Sequence, residues 1–133
     1  MSPFRHTVLA MLALLTGCSG THISGTWELV DASWTALTYE ENGTTRTLEV
    51  VLQLDHTRDE VEGDATMTKT TTVGDQAPEV LSESAEVEGE EESGGAVYID
   101  ADPLFAFECE AERDQMVCVD SELDEWEFAR TAK

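Results

Sequence analysis

The chain has 133 residues, with 29 aspartate and glutamate residues against 7 lysine and arginine residues, and its net charge is −22. This charge excludes nucleic acid as a natural partner, because proteins bind nucleic acids through basic surfaces that neutralise phosphate. Hydrophobic residues make up 41% of the chain, which excludes a collagen-like or wholly disordered protein and favours one small globular domain.

The N-terminus has the pattern of a secretory signal peptide. Arg5 precedes an apolar run over residues 7–15, which is much shorter than the roughly 20 residues that span a bilayer as a helix. The motif that follows, Leu15-Thr16-Gly17-Cys18, resembles the lipobox of bacterial lipoproteins. The resemblance implies that residues 1–17 are removed and that Cys18 becomes the lipidated first residue. Cleavage by ordinary signal peptidase, with Cys18 unmodified, is the alternative.

A lipidated cysteine predicts where the protein is found. Each buried methylene of an acyl chain contributes about 0.8 kcal/mol, so three chains anchor a protein essentially irreversibly. In enterobacterial lipoproteins an aspartate after the cysteine favours retention in the inner membrane, and here Ser19 follows. The resemblance therefore implies an outer-membrane lipoprotein on the periplasmic or surface face, with residues 18–22 as lipidated N-terminus and linker and residues 23–133 as the folded domain. We expect a monomer.

Beyond residue 22, apolar residues alternate with polar ones at the period of β-strands. The alternation is clear at residues 23–29, 48–54 and 61–67, and no amphipathic helix of three turns is present. Asn42-Gly43 is a strong hairpin signal that sets Leu37 opposite Leu48. Further turns are predicted at residues 55–59, 73–78, 90–95, 101–103 and 113–114.

The segments between these turns number eight or nine. A meander of that many short antiparallel strands closes most economically into an up-and-down β-barrel, because closure removes the exposed edges. The predicted fold class is therefore all-β, with an eight- or nine-stranded antiparallel barrel after the signal peptide.

Cys109 and Cys118 remain after Cys18, and export places them in an oxidising compartment, which favours a disulfide. A hairpin centred between Arg113 and Asp114 sets them directly opposite each other, within bridging distance. Closing this ten-residue loop stabilises the fold by about 2.5 to 3 kcal/mol in the chain-entropy model. A metal or redox pair is the alternative, although thiolate zinc sites use more ligands and no CxxC motif is present.

Two short segments at opposite ends of the domain carry a family resemblance. Gly25-Thr26-Trp27 and the late run Trp126-Glu127-Phe128-Ala129-Arg130 resemble the calycin pattern of lipocalins and avidins. In that superfamily the Gly-x-Trp lies at the closed end of the barrel and a late basic residue packs across the tryptophan. The resemblance implies a lipocalin-like barrel closed by Trp27 and Arg130. It implies a fold and no particular ligand.

Aromatic residues are the candidate lining of a ligand cavity. The interior of an eight-stranded barrel is just wide enough to be filled by side chains or to hold one small ligand, and we expect a mostly filled interior. The aromatic set is Trp27, Trp34, Tyr39, Phe105, Phe107, Trp126 and Phe128.

No catalytic residue, cofactor or metal ligand is predicted. Nucleophilic triads need a histidine held beside its nucleophile, whereas His22 lies next to the linker and His56 falls in a predicted charged turn. Acidic residues at 86–92 and 100–102 offer oxygen atoms of the kind that calcium binds, but they form no EF-hand loop. A solvated acidic surface is the favoured interpretation and calcium binding is an alternative.

Residues 93–98, Ser-Gly-Gly-Ala-Val-Tyr, resemble the Ser-Gly-x-x-Tyr-like loop of the membrane-bound inhibitors of C-type lysozyme, which are small bacterial lipoproteins with eight-stranded barrels. That family has a basic residue where Val97 stands. An acidic barrel also attracts a basic protein partner. The resemblance implies, as an alternative, an inhibitor of a basic host or competitor hydrolase. The favoured prediction is a non-enzymatic envelope lipoprotein whose barrel binds a small apolar ligand or acts as a surface module.

Overall fold

The computed structural model describes residues 22–133, so the predicted signal peptide and Cys18 lie outside the described residues. The described chain is all-β. Its strands are β1 (Gly25–Ala32), β2 (Thr38–Glu41), β3 (Thr44–Thr57), β4 (Glu60–Val73), β5 (Glu79–Glu91), β6 (Val97–Ala101), β7 (Phe105–Glu112), β8 (Gln115–Val119) and β9 (Glu125–Ala132). Within this part of the chain, no helix is long and apolar enough to cross a membrane.

Eight strands close an antiparallel up-and-down β-barrel, which confirms the predicted fold class, and β2 is an additional strand. From β2 to β9 each strand pairs with the next one along the chain, and β1 closes the barrel by pairing with β9 on one side and β3 on the other. β1 pairs with β3 only from Gly25 to Glu28. The chain then leaves β3 and returns to the same edge as β2.

Closure requires a glycine at the start of β1. Gly25 has φ 129°, a conformation that is strained for residues with a side chain. A Cβ atom at this position would also collide with the carbonyl oxygen of Ala132 in β9. The glycine of the Gly25-Thr26-Trp27 motif therefore lets the first strand lie against the last.

The turn signals predict the register well. Asn42 and Gly43 both have positive φ, at 53° and 80°, as a two-residue hairpin turn requires. The Leu48 N–H donates to the Leu37 carbonyl at 2.8 Å, which confirms the predicted pairing of these two residues.

The turn predicted over residues 55–59 is present but shorter than predicted. β3 continues to Thr57, and the hairpin is made by Arg58 and Asp59 alone. The inward alternation of Leu52 and Leu54 therefore continues to His56, which is buried. Asp55, which lies between Leu54 and His56, is on the outward face of the strand and does not end it.

The core fills the barrel interior with side chains from every strand except β2. Its residues are Ile23, Trp27, Leu29, Ala32, Val50, Leu52, Leu54, Val61, Ala65, Val87, Val97, Ile99, Ala101, Phe107, Cys109, Met116, Cys118, Trp126 and Phe128. Removing this apolar surface from water is the main stabilising contribution.

The Cys109–Cys118 disulfide is present, as predicted. The two cysteines are directly opposite each other on β7 and β8, and their Cα atoms are 4.0 Å apart. Both side chains are buried, so the bridge adds to the core as well as linking two strands.

Three strands are much longer than the barrel needs. β3 and β4 have 14 residues and β5 has 13, whereas the other barrel strands have five to eight. The surplus extends past one end of the barrel, with β2 beside it. We call this extension, residues 38–48 and 67–84, the projecting sheet, and the rest of the fold the barrel body.

Candidate functional site

One end of the barrel body is closed by a floor built on Trp27, His56 and Arg130. Trp27 and Arg130 are opposite each other on β1 and β9, and the Arg130 Cζ lies 4.6 Å from the centroid of the Trp27 ring. This distance is within the range of a cation–π contact. The Trp27 indole N–H donates to the Ile23 carbonyl at 2.9 Å, so the ring is held at its polar edge as well.

The Arg130 guanidinium joins three separate segments of chain. Its Nη1 donates to the Ser24 carbonyl at 2.7 Å, and its Nη2 donates to the carbonyls of His22 at 3.1 Å and Arg113 at 2.7 Å. Its Nε lies 3.1 Å from Asp114 Oδ1, although this N–H is not aligned for a hydrogen bond. The N-terminal segment, the β7–β8 turn and β9 thus meet at one cation.

His56 is the second element of the floor, and sequence analysis placed it wrongly in an exposed turn. The Ile23 N–H donates to its Nδ1 at 3.1 Å, and its Nε2 lies 3.2 Å from Glu91 Oε1. The ring stacks on His22 with the centroids 4.5 Å apart. Ser24 contacts the backbone of His56 and not its ring, so this histidine orders the N-terminal segment and has no paired hydroxyl nucleophile there.

Five residues of the predicted aromatic set come together inside the barrel. Phe107 is central, with ring centroids 4.4 Å from Phe105, 4.8 Å from Trp126 and 6.0 Å from Phe128. Trp27 is buried in the same core. Tilted and stacked aromatic pairs at these separations attract one another beyond their burial. The aromatic residues therefore fill the interior rather than line an empty one.

Tyr39 does not belong to this cluster, which corrects the predicted cavity lining. Its side chain is 42% exposed and its hydroxyl donates to a carboxylate oxygen of Glu41. Tyr39 has the inward alternation of its strand, but β2 lies in the projecting sheet. No opposite barrel wall covers that level of the sheet, so the ring stays in water.

The end opposite the floor is bordered by half-buried apolar side chains, which we call the apolar rim. They pack on the core and comprise Leu37, Leu48, Met67, Leu104 and Phe105. Trp34, which is 44% exposed, has its ring 5.1 Å from that of Trp126, which in turn lies 5.5 Å from the ring of Phe105.

A loop carries Trp34 to this position. The chain between β1 and β2 is fixed to the start of β9, because the Ser33 N–H donates to the Glu125 carbonyl and the Glu125 N–H donates to the Ser33 Oγ, both at 2.9 Å. The backbone beside Trp34 is therefore anchored, while the indole itself remains partly in solvent. The rim thus combines apolar side chains with an accessible aromatic ring.

The segment that resembles the lysozyme inhibitors forms a tight connection at the floor end. The Glu92 N–H donates to the Ala96 carbonyl at 2.7 Å, which closes the loop, and Tyr98 lies in β6 with its side chain on the outside. A side-chain hydrogen bond to Glu108, partial desolvation and the charges of Glu108 and Glu90 raise the pKa of Glu92. Carboxylates are crowded on this outer face.

The acidic stretches do not form a metal centre in the described structure. Within residues 22–133, no group of three or more histidine, cysteine, aspartate or glutamate side chains is placed to hold an ion. Antiparallel pairing spreads the carboxylates across neighbouring strands instead, as with Glu62 between Asp55 and Glu88.

Sequence analysis missed His56 and the extent of the long strands, although signals for both are present. The even-numbered inward positions of β3 run on to His56, and outward threonines at 66, 68, 70 and 72 continue the alternation of β4 beyond Met67. No family model, curated protein or solved structure matches the chain. The site is therefore interpreted from its own residues, as a closed polar floor and an apolar rim at opposite ends of one barrel.

Proposed function

We propose that this protein is a non-enzymatic lipoprotein of the bacterial outer membrane, anchored through Cys18, whose lipocalin-like barrel binds a small apolar ligand at the apolar rim. The observation that carries the proposal is the position of Trp34. Trp34 is 44% exposed, and its ring contacts that of Trp126, next to half-buried Phe105. Ligand sites are typically concave and lined by apolar and aromatic residues, and the mouth of a barrel is a common place for them.

The two ends of the barrel differ in the groups that they can offer to a ligand. At the floor, the guanidinium of Arg130 and the ring of His56 use their polar atoms to bind backbone groups. At the rim, Trp34 is 44% exposed, and Phe105 and Leu48 are only half buried. An apolar ligand that covers Trp34 and the half-buried rim side chains removes their apolar surface from water, which is the driving force for binding.

The geometry of the floor supports an oriented anchor. The described chain begins at the floor, where Arg130 binds the carbonyls of His22 and Ser24. From Cys18 to Ile23 an extended chain reaches at most about 18 Å. A lipid on Cys18 therefore keeps the floor close to the membrane surface and turns the rim away from it.

The arrangement of His56 supports a non-enzymatic protein. Its Nδ1 accepts the Ile23 N–H and its Nε2 faces Glu91 in a buried setting. A general base needs a ring nitrogen within reach of a substrate. No observation favours the inhibitor or calcium alternatives over ligand binding at the rim.

Ligand binding is tested with the secreted Cys18→Ser protein and the uncharged fluorescent probe N-phenyl-1-naphthylamine. We expect saturable binding that Trp34→Ala weakens at least tenfold, because the ligand loses its aromatic contact. Tyr98→Ala is the matched control, since Tyr98 is 41% exposed but lies on the outside of β6, and it should leave binding unchanged. Absence of saturable binding, or equal losses in the two variants, would contradict the proposal.

Anchoring is tested separately by detergent-phase partition of the protein expressed in a Gram-negative host. The unmodified chain should enter the detergent phase, whereas Cys18→Ser should remain in the aqueous phase or keep its signal peptide, because the acylated thiol is lost. Ser19→Ala is the control and should partition like the unmodified chain. Unchanged partition of a Cys18→Ser protein whose mass shows that it has lost residues 1–17 would contradict anchoring through a lipid at this residue.

A further inference from the structure

β5 has an edge that the barrel leaves uncovered. Along one side it pairs with β4 from Glu79 to Glu90. Along the other side β6 pairs only with residues 88–91. Residues 79–87 therefore pair with one strand alone in the described structure, in a fold whose remaining long edges are closed by strand pairing.

Two turn hydrogen bonds identify the backbone groups at this edge. The Glu91 N–H donates to the Asp59 carbonyl, so odd-numbered residues of β5 bond towards β4, and the Glu92 N–H donates to the Ala96 carbonyl, so even-numbered residues bond towards β6. This alternation runs the length of an antiparallel strand. Four residues that lie beyond the end of β6 consequently direct both N–H and C=O away from the sheet, namely Val80, Ser82, Ser84 and Glu86.

The edge is suited to receive another strand. Native sheets protect long edges with proline, bulges, a covering element or charged side chains, which repel strands of like charge. Pro78 precedes β5 and no proline lies within residues 79–87, and the pairing with β4 runs without a bulge. A straight edge with eight free backbone groups is the geometry at which extended peptides bind by strand addition.

The side chains along the edge indicate the chemistry of the partner. Glu79 and Glu83 lie on one face of β5 and Glu86 lies on the other, while Val80 and Leu81 are 57% and 60% exposed. A second copy of this chain would bring like charges together across the new ladder, which is destabilising. A strand that alternates basic and apolar residues can place its basic side chains on the face that carries Glu79 and Glu83 and its apolar side chains on the face that carries Val80.

We propose that residues 79–87 bind an extended cationic segment of a partner protein as an additional antiparallel strand. Residues 79–84 of this interaction surface lie on the projecting sheet and residues 85–87 on the barrel body, and the proposal does not rest on ligand binding at the rim. Main-chain hydrogen bonds supply the affinity, and the carboxylates select a basic partner over a second copy of the chain.

The test uses the full chain in dodecyl maltoside and a dye-labelled octapeptide that alternates lysine and valine, measured by fluorescence anisotropy in 50 mM NaCl. An octapeptide made of two Lys-Lys-Pro-Pro repeats has the same charge but carries a proline at every second position along either edge of the strand, so neither edge has a continuous set of N–H donors. We expect its affinity to be at least tenfold weaker. Equal affinity of the two peptides would show attraction by charge alone and would overturn the proposal.

A substitution at the edge makes the test specific to β5. Ser84→Pro removes an outward N–H and the side-chain hydrogen bond to Thr66 at 3.4 Å, but it leaves the backbone hydrogen bonds to β4 intact, since edge strands accept proline where the N–H faces solvent. We expect at least a tenfold loss of affinity for the lysine–valine peptide, whereas the control Ser84→Thr keeps the N–H and should bind normally. Normal binding by Ser84→Pro would overturn the proposal.

Hydrogen exchange gives an answer that does not depend on that variant folding. With the lysine–valine peptide bound, amide exchange should slow by at least tenfold at Val80, Ser82, Ser84 and Glu86. Unchanged exchange at these four amides would overturn the proposal. Self-association in 1 M NaCl that protects the same amides without peptide would also overturn it, because the occupant would then be a second copy.

Discussion

The same three strands run through two regions that differ in almost every energetic respect. In the barrel body, the inward residues of β3, such as Val50 and Leu52, are buried, whereas in the projecting sheet Leu48 is only half covered. β5 shows the same change, from buried Val87 to Leu81, which is 60% exposed. The alternation of the sequence is continuous, so the difference comes from the presence or absence of an opposite wall.

The outer faces of the two regions also differ. On the barrel body, carboxylates face one another across strands, as Glu62 does between Asp55 and Glu88. On the projecting sheet the corresponding positions carry hydroxyl groups, and the Thr68 and Ser82 side chains are hydrogen-bonded at 3.2 Å. The barrel body, which has a core, thus tolerates repulsion between carboxylates on its surface. The projecting sheet, which has no core of its own, carries β-branched and hydroxyl residues that favour strand pairing.

The largest effect on the free energy of unfolding is expected when a core side chain of the barrel body is truncated. Phe107→Ala should lower the free energy of unfolding by about 3 to 5 kcal/mol, because a buried ring leaves a cavity. Leu81→Ala on the projecting sheet should change it by less than about 0.5 kcal/mol, since an exposed side chain has little burial to lose. Urea unfolding followed by circular dichroism measures both. Similar losses for the two variants would mean that the projecting sheet has a core of its own.

The disulfide gives the next largest effect. Replacing Cys109 and Cys118 together by alanine should cost about 3 kcal/mol, because the unfolded chain regains the freedom of a ten-residue loop. Reduction of the unmodified protein is the control and should give a similar loss in urea unfolding. A loss below about 1 kcal/mol would show that the bridge adds little to a barrel that β7 and β8 already hold.

Arg130 at the floor is expected to contribute somewhat less to the free energy of unfolding than the disulfide does. Arg130→Ala should cost about 1 to 3 kcal/mol, because it removes the contact with Trp27 and leaves backbone carbonyls without a donor. Arg46→Ala, an exposed cation of the projecting sheet, is the control and should change stability by less than about 0.5 kcal/mol. In a double-mutant cycle with Trp27→Leu, coupling above about 0.5 kcal/mol supports the stack, and purely additive losses would rule it out.

The smallest effect concerns the crowded carboxylates of the barrel body. Because the pKa of Glu92 is raised in the folded state, the native protein binds the proton more readily than the unfolded chain does. The free energy of unfolding should therefore rise slightly as the pH falls from 7 towards 4.5, the ordinary pKa of the group. Glu92→Gln should flatten this rise and increase stability at neutral pH.

Thermal melts across that pH range measure the difference between the two proteins. Glu108→Gln is the companion variant, since it removes the carboxylate charge that faces Glu92. Identical pH profiles for Glu92→Gln and the unmodified chain would show that the carboxylates on this face are screened from one another.

Much of the fold follows from the sequence because turns and alternation are local. Asn42-Gly43 and Arg113-Asp114 each determine the register of a hairpin, and the second places the two cysteines opposite each other. Such patterns do not predict the residue at which a long strand extends past the end of the closed barrel. Tyr39 has an inward position by alternation, yet only the lengths of neighbouring strands decide whether that position has a wall across from it.

The candidate site is less predictable for a related reason. Trp34 is in a short loop without periodicity, and its contact with Trp126 depends on how that loop crosses the end of the barrel. His56 was assigned to a turn because charged residues surround it, although the strand continues past them. Both residues are positioned by contacts with segments that are far away in the sequence, and a local sequence pattern does not predict such contacts.

Closure of the barrel by its first and last strands also governs the order of folding. From β2 to β9, each pairing joins strands that are adjacent in the chain, so these hairpins form with little loss of loop entropy. The bond from Arg130 to Ser24 spans 106 residues and forms only when β9 exists. A chain that emerges N-terminus first, from a ribosome or through a translocation pore, therefore stays open until its last strand has arrived.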